Sequence, residues 1–251
     1  MNLIGVSGRA GSGKDTAAGF LVKNHGWVSV AFADVMKRIC ASVYPFMTRE
    51  NLWGPSAKRN EPIRAYPRKH GPWANRRCVC CNVEVGYEGG VSCYLTARFA
   101  LQQLGSEWGR SCYENTWVDF TLGVVKELSQ PPHYEQEAHS DVYPTYTSWG
   151  GIAWFPAYVI QGPVEVKGVI IPDVRWPGGN EGQAIVAAGG KLMKMLRGEG
   201  LSGAPGQHQS EKNMDVPDST FHFLIDNRKY ELHQLEAHMT EVAGHPSFVP
   251  R

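Results

Sequence analysis

No stretch of this sequence is apolar for long enough to span a bilayer, which takes about 20 residues. Its beginning shows no basic region followed by an apolar stretch and a cleavage site. Both absences lead to the expectation of a cytoplasmic chain without a membrane partner. Cysteine is scarce: six residues in 251 cannot staple a chain of this size, which fits a reducing compartment. An excess of one charge is missing too. The formal net charge is +1, so no global field draws the chain to nucleic acid or to an anionic surface. No segment repeats, so a repeat architecture is excluded. What remains is ordinary globular composition, 42% hydrophobic and 20% charged. The length allows one large domain, or one domain with a sizeable insert.

The chain alternates apolar runs with helical spacing. Residues 2–7, "NLIGVS", read as a buried strand, and 14–24, "KDTAAGFLVKN", as a helix burying Ala17, Phe20 and Leu21, stopped by Gly26. "WVSVAF" and "ADVMKRICASVY" give a second strand and helix. Residues 45–94, rich in Pro, Gly, Arg and Cys, read as mostly irregular, with 63–93 a Cys-containing insert. "YLTARFALQQLGSEWG" returns to helical spacing with Thr96 as cap, and "TWVDFTLGVVKEL" follows with Thr116 as cap. Residues 129–163 hold many aromatic and Pro residues without a period, including Trp149, Trp154 and Phe155, and read as a second irregular insert. "EVKGVIIPD" is a strand ending on Asp173, "GNEGQAIVAAGG" a helix closed by Gly189, and "KLMKMLR" a strand ending on Arg197. The glycine-rich 198–218 reads as a lid. "FHFLID" and "KYELHQLEAHMTEVA" supply a last strand and helix. Buried strands alternating with helices predict an α/β fold whose parallel sheet is covered on both faces.

One segment carries chemistry. "GRAGSGKDT" at 8–16 joins the first strand to the first helix. Gly8, Arg9, Ala10, Gly11, Ser12 and Gly13 form a loop whose backbone N–H groups can wrap phosphate oxygens, because glycine tolerates the required curvature. The helix behind it points its positive end at the anion. Lys14 adds a cation that can follow a transferred phosphoryl group. A bare G-x4-G-K arises by chance in about one such chain in seven, so the strand–loop–helix context is what gives it weight. Asp15 stands where such loops carry Ser or Thr. It can bind Mg²⁺ directly or through water, with the Thr16 hydroxyl beside it, or it can simply favour the helix start.

The loop resembles that of the bacteriophage deoxynucleoside monophosphate kinases, which favour Lys-Asp-Thr at this point. Three further segments fit that family in its order. They are "LWGPSAKRNEP" at 52–62, "YLTARFALQQLGSEWGR" at 94–110 with "TWVD" at 116–119, and "VIIPDVRWPGGNE" at 169–181 with "HQSE" at 208–211 and "FLIDN" at 223–227. Residues 63–93 and 129–163 match nothing in it. The resemblance implies a P-loop kinase fold and transfer of the ATP γ-phosphoryl group to a deoxynucleoside 5′-monophosphate. The acceptor phosphate then needs cations of its own, and Arg98, Arg110 and Arg175 lie in the matching segments. Asp173, at the carboxyl end of its strand, is a candidate for the Mg²⁺ shell or the acceptor. Arg197 is a candidate for the lid over ATP. Gln102 and Trp108 are candidates for the base, with plain core the competing reading for Trp108. Lys58 and Arg59 are weaker candidates for the acceptor, since a charge pair in a loop is usually just solvated.

Cys78 and Cys81 have the spacing of half a zinc site, and Cys93 follows without a partner at short spacing. Structural Zn²⁺ and free thiols in a variable insert both stay open. Two other functions compete with the kinase: another P-loop kinase with an acceptor such as dephospho-coenzyme A, and a nucleotide-binding switch or zinc-containing nucleic-acid-binding protein. The balanced charge and the lack of a basic stripe disfavour nucleic acid. The oligomeric state is open, a homodimer included.

Overall fold

The structure is a computed structural model. It describes residues 1–9, 11–68, 73–74, 77–78, 93–129, 145–146, 152–153, 166–196, 216–228 and 231–246. In chain order the elements are β1 (Asn2–Ser7), α1 (Lys14–His25), β2 (Trp27–Ser29), α2 (Phe32–Val43), α3 (Arg49–Trp53), α4 (Ser56–Arg59), β3 (Ile63–Arg68), β4 (Trp73–Ala74) and β5 (Arg77–Cys78). Then come β6 (Cys93–Leu95), α5 (Ala97–Gln102), a π-helical segment (Gln103–Arg110), α6 (Thr116–Leu128), β7 (Thr145–Tyr146), β8 (Ile152–Ala153) and β9 (Gly168–Ile171). The chain continues through α7 (Asn180–Ala187), β10 (Lys191–Leu196), a 3-10 turn (Asp218–Thr220), β11 (Phe223–Asp226) and α8 (Leu232–Ala243). The chain divides into two compact units, Met1–Asp34 with Asn115–Arg251, and Val35–Glu114.

The first unit holds a five-stranded sheet in the order β11-β10-β1-β9-β2, with all four pairings parallel. The expected α/β fold is what the chain forms. Alternation along β1 explains the two covered faces. Ile4 and Val6 join Ile170, Met193 and Met195 under α1 and α8, against Ala17, Leu21, Leu235 and Met239. Leu3 joins Val169, Ile171 and Leu192 on the other face, under Val118, Val124 and Val125 of α6 and Ile185 of α7. Ile4, Ile170 and Met193 have no accessible surface. Truncating one of them to Ala removes about 2–5 kcal/mol.

β1 lies between β9 and β10, so its carboxyl end opens at the centre of one sheet edge. Because every strand is parallel, the carboxyl ends of β9, β10 and β11 open on that same edge. This is where ligands of open α/β sheets gather.

The second unit has its own small core of Cys40, Met47, Leu52, Ala97 and Ala100. Here the expectation of irregular chain over 45–94 is corrected. Thr48 closes a capping box on α3, α4 follows, and β3 pairs antiparallel with β6. Thr96 caps α5 as expected, its hydroxyl accepting from the Phe99 N–H at 3.1 Å. Thr116 does not cap α6; the cap position is Asn115, which instead accepts from Asn180 Nδ2 at 2.7 Å. Of residues 129–163, the described ones beyond Ser129 form the short pair β7–β8. Most of the expected lid at 198–218 lies outside the described residues; its end, from 216, enters the 3-10 turn.

Candidate phosphate site

The loop after β1 turns sharply. The Ser12 N–H donates to the Arg9 carbonyl at 3.1 Å, and the Ala17 N–H to the Gly13 carbonyl at 2.9 Å starts α1. Gly13 has φ 95°, a left-handed conformation, and offers α1 no side-chain cap. Two of the loop's glycines are dictated by space as well. A Cβ on Gly8 would lie 2.6 Å from the Met195 carbonyl oxygen, and one on Gly13 would lie 2.5 Å from Asn227 Nδ2. The helix therefore begins behind a residue that has no side chain to cap it, and glycine is required at two points of the loop's backbone. That combination suits an anion.

Lys14 is folded into this loop. Its Nζ donates to the Gly8 carbonyl at 2.5 Å, the Arg9 carbonyl at 2.8 Å and the Ser12 hydroxyl at 3.4 Å. The ammonium is thus held on the loop's own oxygens. Asp15 and Thr16 stand exposed in the first turn of α1. Both offer oxygen to a cation. Ala10 lies outside the described residues.

Asp173 sits just past β9, but its carboxylate is occupied. Oδ1 accepts from the Phe32 N–H at 2.8 Å and Oδ2 from the Ala33 N–H at 3.0 Å. It caps α2, whose start would otherwise leave those donors bare. Arg175 has an exposed side chain, while its backbone N–H donates to Glu181 Oε2 at 2.5 Å. The same oxygen accepts from the Trp176 N–H at 3.0 Å. Glu181, 1% exposed, thereby fixes the turn that presents Arg175. Arg197 lies outside the described residues.

Sequence reasoning missed Asn227 and Glu181. Asn227 follows β11, and its Nδ2 donates to the Ser12 carbonyl at 2.9 Å across 215 positions of chain. Only their place inside family-like segments marked either residue; neither has a spacing signal of its own.

The second unit carries the other candidates. Arg98 opens α5 and Arg110 closes the π-helical segment, both half-buried. Twelve positions of chain separate them, the last eight of them π-helical. Lys58, half-buried, is paired with Glu61 at 3.3 Å, whose hydrogen bond and charge hold the ammonium pKa above its ordinary value. Arg59 Nη1 donates to the Gly54 carbonyl at 2.6 Å.

Trp108 is 55% exposed, so plain core is not its role. It lines a groove of about 330 Å³ with Tyr44, Leu104 and Glu107. Gln103 lines that groove, and Gln102 does not. Ala100, Gln103, Leu104, Glu107 and Trp108 share one helical stripe, from which Gln102 is displaced. Cys40, at the groove's base, has its thiol pushed by burial from 9.0 to about 11.

Cys78 is on β5 opposite Trp73, and Cys93 is on β6 opposite Arg68, in different two-stranded sheets. Cys81 lies outside the described residues. Among the described residues no group of three or more His, Cys, Asp or Glu could hold a metal ion. Also among them, no helix is long and apolar enough to cross a membrane.

No protein-family profile matches the sequence. Over 62 residues the chain is 36% identical to a protein of Acanthamoeba polyphaga mimivirus named "Putative deoxynucleotide monophosphate kinase". The match covers 25% of this chain and 32% of that protein, so the likeness extends to about a third of the relative's length. A likeness of that extent suggests a nucleotide kinase and goes no further.

Proposed function

We propose that the chain is an ATP-dependent deoxynucleoside monophosphate kinase, transferring the γ-phosphoryl group to a deoxynucleoside 5′-monophosphate. The observation that carries this reading is the uncapped start of α1 behind a glycine loop into which Lys14 folds. The partial likeness to a protein named as a deoxynucleotide kinase supports the choice of acceptor.

Phosphoryl transfer asks the protein for position and charge, and little covalent chemistry. Residues 8–16 would hold the donor phosphates. Lys14 would leave the carbonyls of Gly8 and Arg9 for phosphate oxygens, a stronger, charge-assisted partner. Asp15, with Thr16 beside it, would hold Mg²⁺. A site that uses one carboxylate plus substrate phosphates needs no three-residue cluster. The ion would supply neutralisation of the phosphate charge. Arg98, Arg110 and Arg175 are assigned to the acceptor, Trp108 to stacking its base, and Arg197 to closure over ATP. Asp173 is assigned to positioning, since it fixes the start of α2. The Zn²⁺ reading of the cysteines carries no part of this function.

A coupled assay with ATP and Mg²⁺ against dGMP, dTMP, dCMP, dAMP, their ribose counterparts and dephospho-coenzyme A tests the proposal. Turnover of a deoxynucleotide is expected, with Lys14→Ala at least ~10²-fold slower. No transfer to any acceptor, or a Lys14→Ala variant as fast as wild type, would refute it.

A further inference from the structure

We propose that Asn227 is a positioning residue that sets the phosphate loop from outside it. The inference rests on reading residues 8–16 as a phosphate site and names the part of the fold that shapes that site.

Asn227 is held at both ends. Its backbone N–H donates to the Leu196 carbonyl at 2.7 Å, continuing the β10–β11 ladder one step past the strand. Its side chain then donates to the Ser12 carbonyl at 2.9 Å. In a trans peptide the carbonyl and the following N–H point in opposite directions. Holding the Ser12 carbonyl toward β11 therefore turns the Gly13 N–H away from it. Gly13 fits this contact and nothing larger, because a Cβ there would strike the same Nδ2 at 2.5 Å. Gly8 is confined on the same side by Met195, whose carbonyl would meet its Cβ at 2.6 Å. The ends of β10 and β11 thus form a backing for the loop, and Asn227 gives that backing a directional contact. Donor phosphates would meet amides already oriented, which lowers the ordering required on binding.

The test is equilibrium binding of ATP and of inorganic tripolyphosphate to the full chain, in wild type, Asn227→Ala and Asn227→Asp, with the Michaelis constants of both substrates. Leu224→Ala, exposed on the same strand, is the control for a merely structural effect. Asn227→Ala is expected to bind both probes about 10-fold more weakly, with the deoxynucleotide Michaelis constant changed by less than about 2-fold. Asn227→Asp keeps the shape, loses the donor and adds a negative charge, so it should bind at least as weakly. Wild-type binding in Asn227→Ala, with a loss confined to Asn227→Asp, would assign the effect to charge and overturn the inference. So would equal weakening by Leu224→Ala, or equal effects on both substrates. If wild type binds neither probe, the phosphate-loop reading falls and this inference with it. If wild type binds both probes yet transfers to no acceptor, only the kinase reading falls, and the same binding series still decides Asn227.

Discussion

Gly13→Ala and Gly11→Ala form a matched pair. Both glycines have left-handed backbone, φ 95° and φ 77°. An alanine in that region is strained by about 1–2 kcal/mol. At Gly11 nothing lies within 4 Å of the added Cβ, so strain is the whole effect. At Gly13 the Cβ also displaces Asn227 Nδ2, and the hydrogen bond to the Ser12 carbonyl is lost. That adds about 0.5–1.5 kcal/mol. For a domain of this size each kcal/mol lowers the melting temperature by about 2–4 °C. Gly11→Ala should therefore lower it by roughly 2–8 °C, and Gly13→Ala by roughly 1–6 °C more. Calorimetry on both variants, repeated with Asn227→Ala as background, measures the difference. The excess of Gly13→Ala should vanish in that background, because the atom it strikes is gone. Equal losses for the two glycines, or an excess that survives removal of Asn227, would refute the close-approach argument.

Other outcomes follow from single contacts. Glu181→Ala strands the Arg175 and Trp176 N–H groups beside a buried site and should lower stability by about 2–4 kcal/mol in chemical denaturation, with Glu181→Gln milder. Asp173→Ala uncaps α2 and should cost about 1–2 kcal/mol; an unchanged denaturation midpoint would remove its capping role. Cys40, with its thiol near 11, should resist iodoacetamide at pH 8 while exposed Cys112 is alkylated, as peptide mass mapping will show. The folded value of Cys40 lies above the unfolded one, so its contribution is intact below about pH 9 and fades as pH rises toward 11.

The sheet was legible because its strands are short apolar runs bounded by loops, and because β1 leads straight into a glycine loop. Gly26 and Thr96 were legible as stop and cap, since each acts on its own immediate backbone. The rest depends on partners far along the chain. Asn115 rather than Thr116 begins α6, and its side chain answers Asn180, 65 positions away. Asp173 looked chemical because it ends a strand; its partners are backbone amides of another element. The helical period places Trp108 on an apolar stripe, yet does not say that the stripe ends at solvent. Nor does spacing reveal the π-helical turns of Gln103–Arg110 or the close approach within them, where a Cβ on Gly105 would lie 2.8 Å from Met36 Sδ. Residues 45–94 read as irregular because their helices are four or five residues long, too short to show a period.

The place of β1 in the sheet sets a timetable for the newborn chain. β1 is synthesised well before its two neighbours, β9 at 168–171 and β10 at 191–196. At about 5–20 residues per second, the ribosome takes roughly 10–40 s to deliver them. Throughout that interval the apolar "NLIGVS" has no edge to pair with, and the loop behind it has no backing. Only when Asn227 emerges can the loop be closed against β11. β1 is made long before its surroundings are complete, and the growing polypeptide must keep that strand from other partners until then.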